Sequence, residues 1–172
     1  MRLIVEGVSA KREAAYQKAF RFLVRHLNIE NHDKTVWLTF FKKRPEMREM
    51  YRFGSLIGEQ FNSEQGATRN EIVDNIIEMK INDYKSSAFS DKRERSVLQP
   101  PMQTFVHEMT HVAQMVTGRL VVRQTPFETR VRWNGRWGSL PPYEDQPWEH
   151  EAQDLTQMLY PMLCKHFGRS CQ

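Results

Sequence analysis

His107 and His111 stand four residues apart, with Glu108 directly after the first, in the run His107-Glu108-Met109-Thr110-His111. On an α-helix, side chains at this spacing lie nearly one above the other, so both imidazoles reach one ion. Zinc favours neutral imidazole nitrogen, and a catalytic zinc takes three protein ligands and leaves the fourth position to water. Glu108 projects about 100° round the helix from His107, beside the pair, where a carboxylate can take a proton from an attacking water. The chemistry expected of the run is amide hydrolysis by a metal-activated water, with Glu108 as general base and no covalent enzyme intermediate.

Five residues with three fixed also arise by chance, so the flanks have to decide. Thr104, Phe105 and Val106 before the run and Val112 and Ala113 after it are all uncharged. They predict an apolar helix around the two histidines rather than a solvated one. The plain competing reading is a pair of core histidines satisfied by neighbouring polar groups.

Two histidines do not complete a zinc site, and no cysteine lies near them in the chain. Candidates for a third ligand cluster in Pro147-Trp148-Glu149-His150-Glu151-Ala152. Glu149 falls in the first turn of an expected helix, where unpaired amides and the helix dipole favour the ionised carboxylate that a ligand must be. The same effects enrich acids there without any metal, so they do not separate Glu149 from Glu151. His150 competes as well, since three histidines make an equally good zinc site. Tyr143, just ahead, is a candidate oxyanion donor or a tyrosine simply packed in a loop.

Two blocks carry a resemblance. One is Phe105-Val106-His107-Glu108-Met109-Thr110-His111-Val112-Ala113-Gln114, and the other is Tyr143-Glu144-Asp145-Gln146-Pro147-Trp148-Glu149-His150-Glu151-Ala152. Together they resemble the gluzincin metallopeptidases, most closely the small minigluzincin-like ones found in phage genomes. The likeness covers roughly residues 99–160, including the Trp133-Asn134-Gly135 corner. It implies a zinc peptidase with His107, His111 and Glu149 as metal ligands, Glu108 as base, Ala152 as the small residue that lets the last helix approach the motif helix, and a protein or peptide substrate. It also implies a cytoplasmic setting, in the host if the gene is a phage's, or a place in the virion. The pattern departs in one place: gluzincins with an ExxxD motif carry aspartate four residues after the ligand, whereas Gln153 stands here and Asp154 follows it. The hydrogen-bond partner of a ligating histidine is therefore not assigned by the pattern.

The elements that must position these residues read as α+β. The expectation is a single zincin-like domain over residues 1–172, with a small mixed or antiparallel sheet packed against the HExxH helix, an N-terminal helix and a C-terminal ligand helix. Leu3 to Val5 is a strand candidate, and Ala15, Ala19, Phe22, Leu23 and Leu27 have helical spacing behind a Ser9 cap. Thr35 to Phe41 reads as a strand with Val36, Leu38 and Phe40 on one side, and Asn75 to Asn82 as another with Ile77, Met79 and Ile81 together. Met47 to Phe61 fits a helix weakened by Gly54 and Gly58, and Tyr84 to Gln99 a long loop. Pro100-Pro101 opens the motif helix and Gly118 stops it. Leu120 to Arg123 and Thr129 to Trp133 follow as short strands around Pro126, then Asn134-Gly135 as a turn and a loop rich in glycine and proline. From Gln146 a last helix carries Trp148, Ala152, Leu155, Leu159 and Met162, with a kink expected at Pro161.

The bulk properties set outer bounds. The 172 residues are 40% hydrophobic and 27% charged, the balance of a folded domain rather than a disordered chain. No apolar run approaches the roughly 20 residues of a membrane helix. Glu6 interrupts the N-terminal apolar stretch, so no secretory signal is expected. Cys164 and Cys171 form no CxxC pair, so neither a disulfide framework nor a cysteine zinc site is expected, and a reducing compartment fits. The net charge of +4, with basic clusters at Lys42-Lys43-Arg44 and Lys92-Arg93-Glu94-Arg95, leaves nucleic acid as an alternative partner. Two further functions therefore stand beside the peptidase: a zinc-stabilised phage or virion structural protein without turnover, and a SprT-type protease acting on proteins bound to nucleic acid. The latter families have a third histidine much closer to the motif, which this chain lacks.

Overall fold

The computed structural model describes residues 1–41, 66–68, 75–82, 101–124 and 127–168. The expectations for residues 42–65 and 83–100, and for Pro126, lie outside these residues, as do both basic clusters. The described chain is mixed α+β, with three helices and two small sheets.

In the first sheet, β1 (Arg2–Val5), β2 (Thr35–Phe41), β4 (Ile76–Asn82) and β3 (Gly66–Thr68) lie side by side in that order. β1, β2 and β4 are parallel, and β3 runs antiparallel to β4 along its other edge. The register sets Leu3 beside Val36, Val36 beside Ile77 and Leu38 beside Met79. Strand side chains alternate between faces, so the apolar sets expected from the sequence form one continuous inner surface. Val36, Leu38, Ile77, Met79 and Ile81 are fully buried there.

Against this face pack α1 (Ala10–His26) and α2 (Pro101–Val116), the helix that carries the histidines. Ser9 does stand at the N-cap of α1, but its side chain makes no capping bond; its carbonyl accepts the Glu13 amide at 2.9 Å. Helix α2 is buried on nearly every side, because its neighbours occupy all but a narrow strip. Phe105 and Met109 are wholly enclosed, and Tyr16 of α1 meets the Phe105 ring edge-on at 5.1 Å. The helix ends at Gly118, whose φ of +69° and amide bond to the Met115 carbonyl make the left-handed stop expected of glycine.

Beyond that stop lies the second sheet, β5 (Leu120–Gln124), β6 (Thr129–Trp133) and β7 (Arg136–Ser139), antiparallel throughout. Asn134 and Gly135 both have positive φ, as a two-residue hairpin turn demands. β7 occupies part of the segment expected to be a loop. Its four residues are all exposed, so it lacks the apolar alternation that marks a half-buried strand.

The chain then passes through a short 3-10 turn at Tyr143–Asp145 into α3 (Pro147–His166). Pro147 sits at the helix start, where a missing N–H is harmless. Trp148 packs with Leu120 and Val131 in a small cluster that ties the first turn of α3 to the second sheet. Pro161 lies inside α3, which runs on to His166. Met162, expected to face the core, is 43% exposed; Leu163 takes that place, one residue on. Cys164 is disulfide-bonded, a cross-link that the spacing of the cysteines did not suggest. Among the described residues no helix is long and apolar enough to cross a membrane.

Candidate metal centre

Helix α2 stacks His107 and His111 on one side, with their ring centroids 4.8 Å apart and the rings nearly perpendicular. The two Nε2 atoms are 3.1 Å apart. Glu149, in the first turn of α3, closes over them. One carboxylate oxygen lies 3.3 Å from His107 Nε2 and the other 3.3 Å from His111 Nε2. The three residues thus converge in an arrangement able to hold a metal ion, with one ligand atom from each all within 4.8 Å of one another.

The separations themselves test the fit. Zinc bonds of roughly 2.0–2.2 Å in tetrahedral array put neighbouring ligand atoms about 3.3–3.5 Å apart. The two Nε2 atoms, 3.1 Å apart, are close to one such edge, and each imidazole has its own Glu149 oxygen at 3.3 Å, Oε2 for His107 and Oε1 for His111. Two nitrogens and a carboxylate are also the donor types that zinc accepts.

His150 takes no part. Its Nε2 points the other way and donates to the Glu144 carbonyl at 2.6 Å, on the exposed side of α3. Neighbouring helix positions are about 100° apart in azimuth, so Glu149 and His150 cannot both face α2. Glu151 also stays out of the cluster but is not idle: it accepts from Gln114 Nε2 at 2.9 Å and pairs with Arg119 at 2.7 Å. Gln114 Oε1 in turn lies 2.8 Å from His111 Nδ1. Gln114 is thus a hydrogen-bond partner of the His111 nitrogen that faces away from the cluster. The glutamine was visible in the sequence as part of the motif block, but its link to Glu151 and Arg119 joins residues up to 37 positions apart, which spacing alone cannot reveal.

Tyr143 lies at the site, and its hydroxyl donates to Glu149 Oε2 at 3.0 Å. In this arrangement the hydroxyl supports the Glu149 carboxylate. Glu108 is 5% exposed on α2, and its charge is felt at both His111 and Tyr143.

The electrostatics follow from three close groups in partial burial. Burial disfavours a charged His111, but the Glu149 carboxylate outweighs it and, with Glu108 and Gln114, raises the imidazole to about 9. For Glu149, burial pushes upward, while His111 and His107 hold it well below the usual carboxylate range. Burial and the neighbouring Glu149 charge push the Tyr143 phenol far above its ordinary value. The Glu149 carboxylate and the His111 imidazole thus each favour the charged form of the other.

Compared with protein-family models, curated proteins and solved structures, the chain matches none of them.

Proposed function

We propose that the protein is a zinc-dependent metallopeptidase with a zincin-like arrangement, in which His107, His111 and Glu149 hold the ion and Glu108 is the general base. The observation that carries this reading is the convergence of the two Nε2 atoms and the Glu149 carboxylate, one ligand atom from each within 4.8 Å of the others. It comes with an adjacent buried carboxylate that a purely structural zinc site does not require.

When bound, zinc would polarise the scissile carbonyl and acidify water. The protein's own groups would do the rest. His107, His111 and Glu149 would hold the ion, three protein ligands being the number that a catalytic zinc site takes. Glu108, fixed by the same helix, takes a proton from the attacking water and passes it to the leaving amine. Tyr143 holds Glu149 through its hydroxyl.

The sheet next to α2 supports reading the substrate as a peptide. Among the described residues β3 is the edge of the first sheet, antiparallel to β4. An extended chain could add to such an edge through main-chain hydrogen bonds, bringing its carbonyls toward the motif helix.

The test is metal analysis together with cleavage of a broad peptide library, with and without chelator. The wild type should contain one zinc and cleave only when metal-loaded, and Glu108→Gln should keep the zinc and lose cleavage. Stoichiometric zinc without any cleavage would instead mark a structural zinc protein.

A further inference from the structure

We infer that Gln114 is a positioning residue that sets the tautomer of His111 and, through the same amide, locks the turn of α3 that bears Glu149. The inference rests on the metal-centre reading above. It starts from the two unlike ends of a carboxamide. One end can only donate and the other only accept, so its neighbours decide which way it faces.

Here the neighbours leave one solution. Gln114 Nε2 lies 2.9 Å from the Trp148 carbonyl and 2.9 Å from Glu151 Oε2. A carbonyl and an ion-paired carboxylate both accept only, and Glu151 is held as such by Arg119 at 2.7 Å. Arg119 is itself fixed by Asn134 Oδ1 at 3.0 Å and by stacking over Trp133 at 4.9 Å. Turning the amide round would set its oxygen against two acceptors, and Gln114, 1% exposed, would have to bear that repulsion inside the protein.

The oxygen end must therefore face His111 Nδ1, 2.8 Å away, and an acceptor there requires a proton on Nδ1. In the neutral ring this leaves the lone pair on Nε2, the nitrogen 3.1 Å from His107 Nε2 and 3.3 Å from Glu149. Direction is thus passed from Arg119 through Glu151 and Gln114 to the ring. The Trp148 carbonyl belongs to the residue just before Glu149, so one buried side chain orients a ligand on α2 and anchors the backbone beside a ligand on α3.

The experiment uses full-length, zinc-loaded protein with 15N-labelled histidine. In the wild type, His111 should carry its proton on Nδ1 in slow exchange and bind metal through Nε2. Gln114→Leu, which keeps the volume and removes both hydrogen-bonding ends, should lose that protected proton and weaken zinc about 10–100-fold in chelator competition. Ligation of wild-type zinc through His111 Nδ1, or a folded Gln114→Leu variant with unchanged zinc affinity, would overturn the inference. If the variant fails to fold, the wild-type spectrum still decides. If the wild type takes up no zinc, the metal-centre reading fails by itself. The tautomer of His111 in metal-free protein at alkaline pH then decides for Gln114, and a proton found on Nε2 overturns it.

Discussion

The Tyr143 hydroxyl donates to Glu149 Oε2 at 3.0 Å, and that same oxygen lies 3.3 Å from His107 Nε2. A neutral donor on a ligating carboxylate fixes which way the group presents its oxygens. Tyr143→Phe keeps the ring and removes only this bond, so zinc affinity should fall about 10-fold with the fold intact. Chelator competition beside a thermal melt measures both; unchanged affinity would mean that the bond does not steer Glu149.

The third ligand is decided by a pair of variants one residue apart. Glu149→Gln removes the charge that faces both imidazoles and should abolish stoichiometric zinc in the purified protein. His150→Gln removes a ring bonded to the Glu144 carbonyl on the exposed side of α3, and should leave zinc unchanged. The reverse pattern in elemental analysis would move the ligand to His150.

The metal-free cluster has a pH dependence with a definite sign. His111 is raised from 6.5 to about 9, so the stability it contributes is fully present below about pH 6.5 and lost as pH rises through about 9. Glu149 is depressed, so its contribution is present above about 4.5 and lost as pH falls further. Urea denaturation of metal-free protein should therefore show greater stability from this pair near pH 5.5 than near pH 9. Zinc binding competes with the His111 proton, so apparent zinc affinity should rise over the same interval.

Ala152 is fully buried, three residues after Glu149 and so on nearly the same face of α3. A larger side chain there has nowhere to go without moving the helix. Ala152→Leu should cost about 1–3 kcal/mol of stability by overpacking and should weaken zinc as Glu149 shifts with its helix. Unfolding and zinc titration on one sample test the two effects together; a stable variant with native zinc affinity would show room that the packing does not.

Legibility followed periodicity. β2 and β4 were readable because Val36, Leu38, Ile77 and Met79 alternate with residues on the other face, and α2 because an uncharged stretch surrounds the histidines. β7 was not readable: its residues face outward, and only the Asn134-Gly135 turn that feeds it left a local mark. Helical spacing points to Met162 where the structure buries Leu163, one step on, because both residues are apolar and only neighbouring elements decide which one is covered.

What the chain determined by itself was the pair of histidines and the adjacent Glu108, since a four-residue spacing on a helix already brings two rings to one ion. Which residue completes the set was a tertiary matter. Glu149, His150 and Glu151 are consecutive and all polar, and the azimuth of α3 against α2 turned the first to the histidine pair, the second to a loop carbonyl and the third to Gln114. That azimuth is set by Trp148 in its cluster with Leu120 and Val131 and by the buried amide of Gln114, contacts between segments distant in sequence. Local spacing carries no record of them.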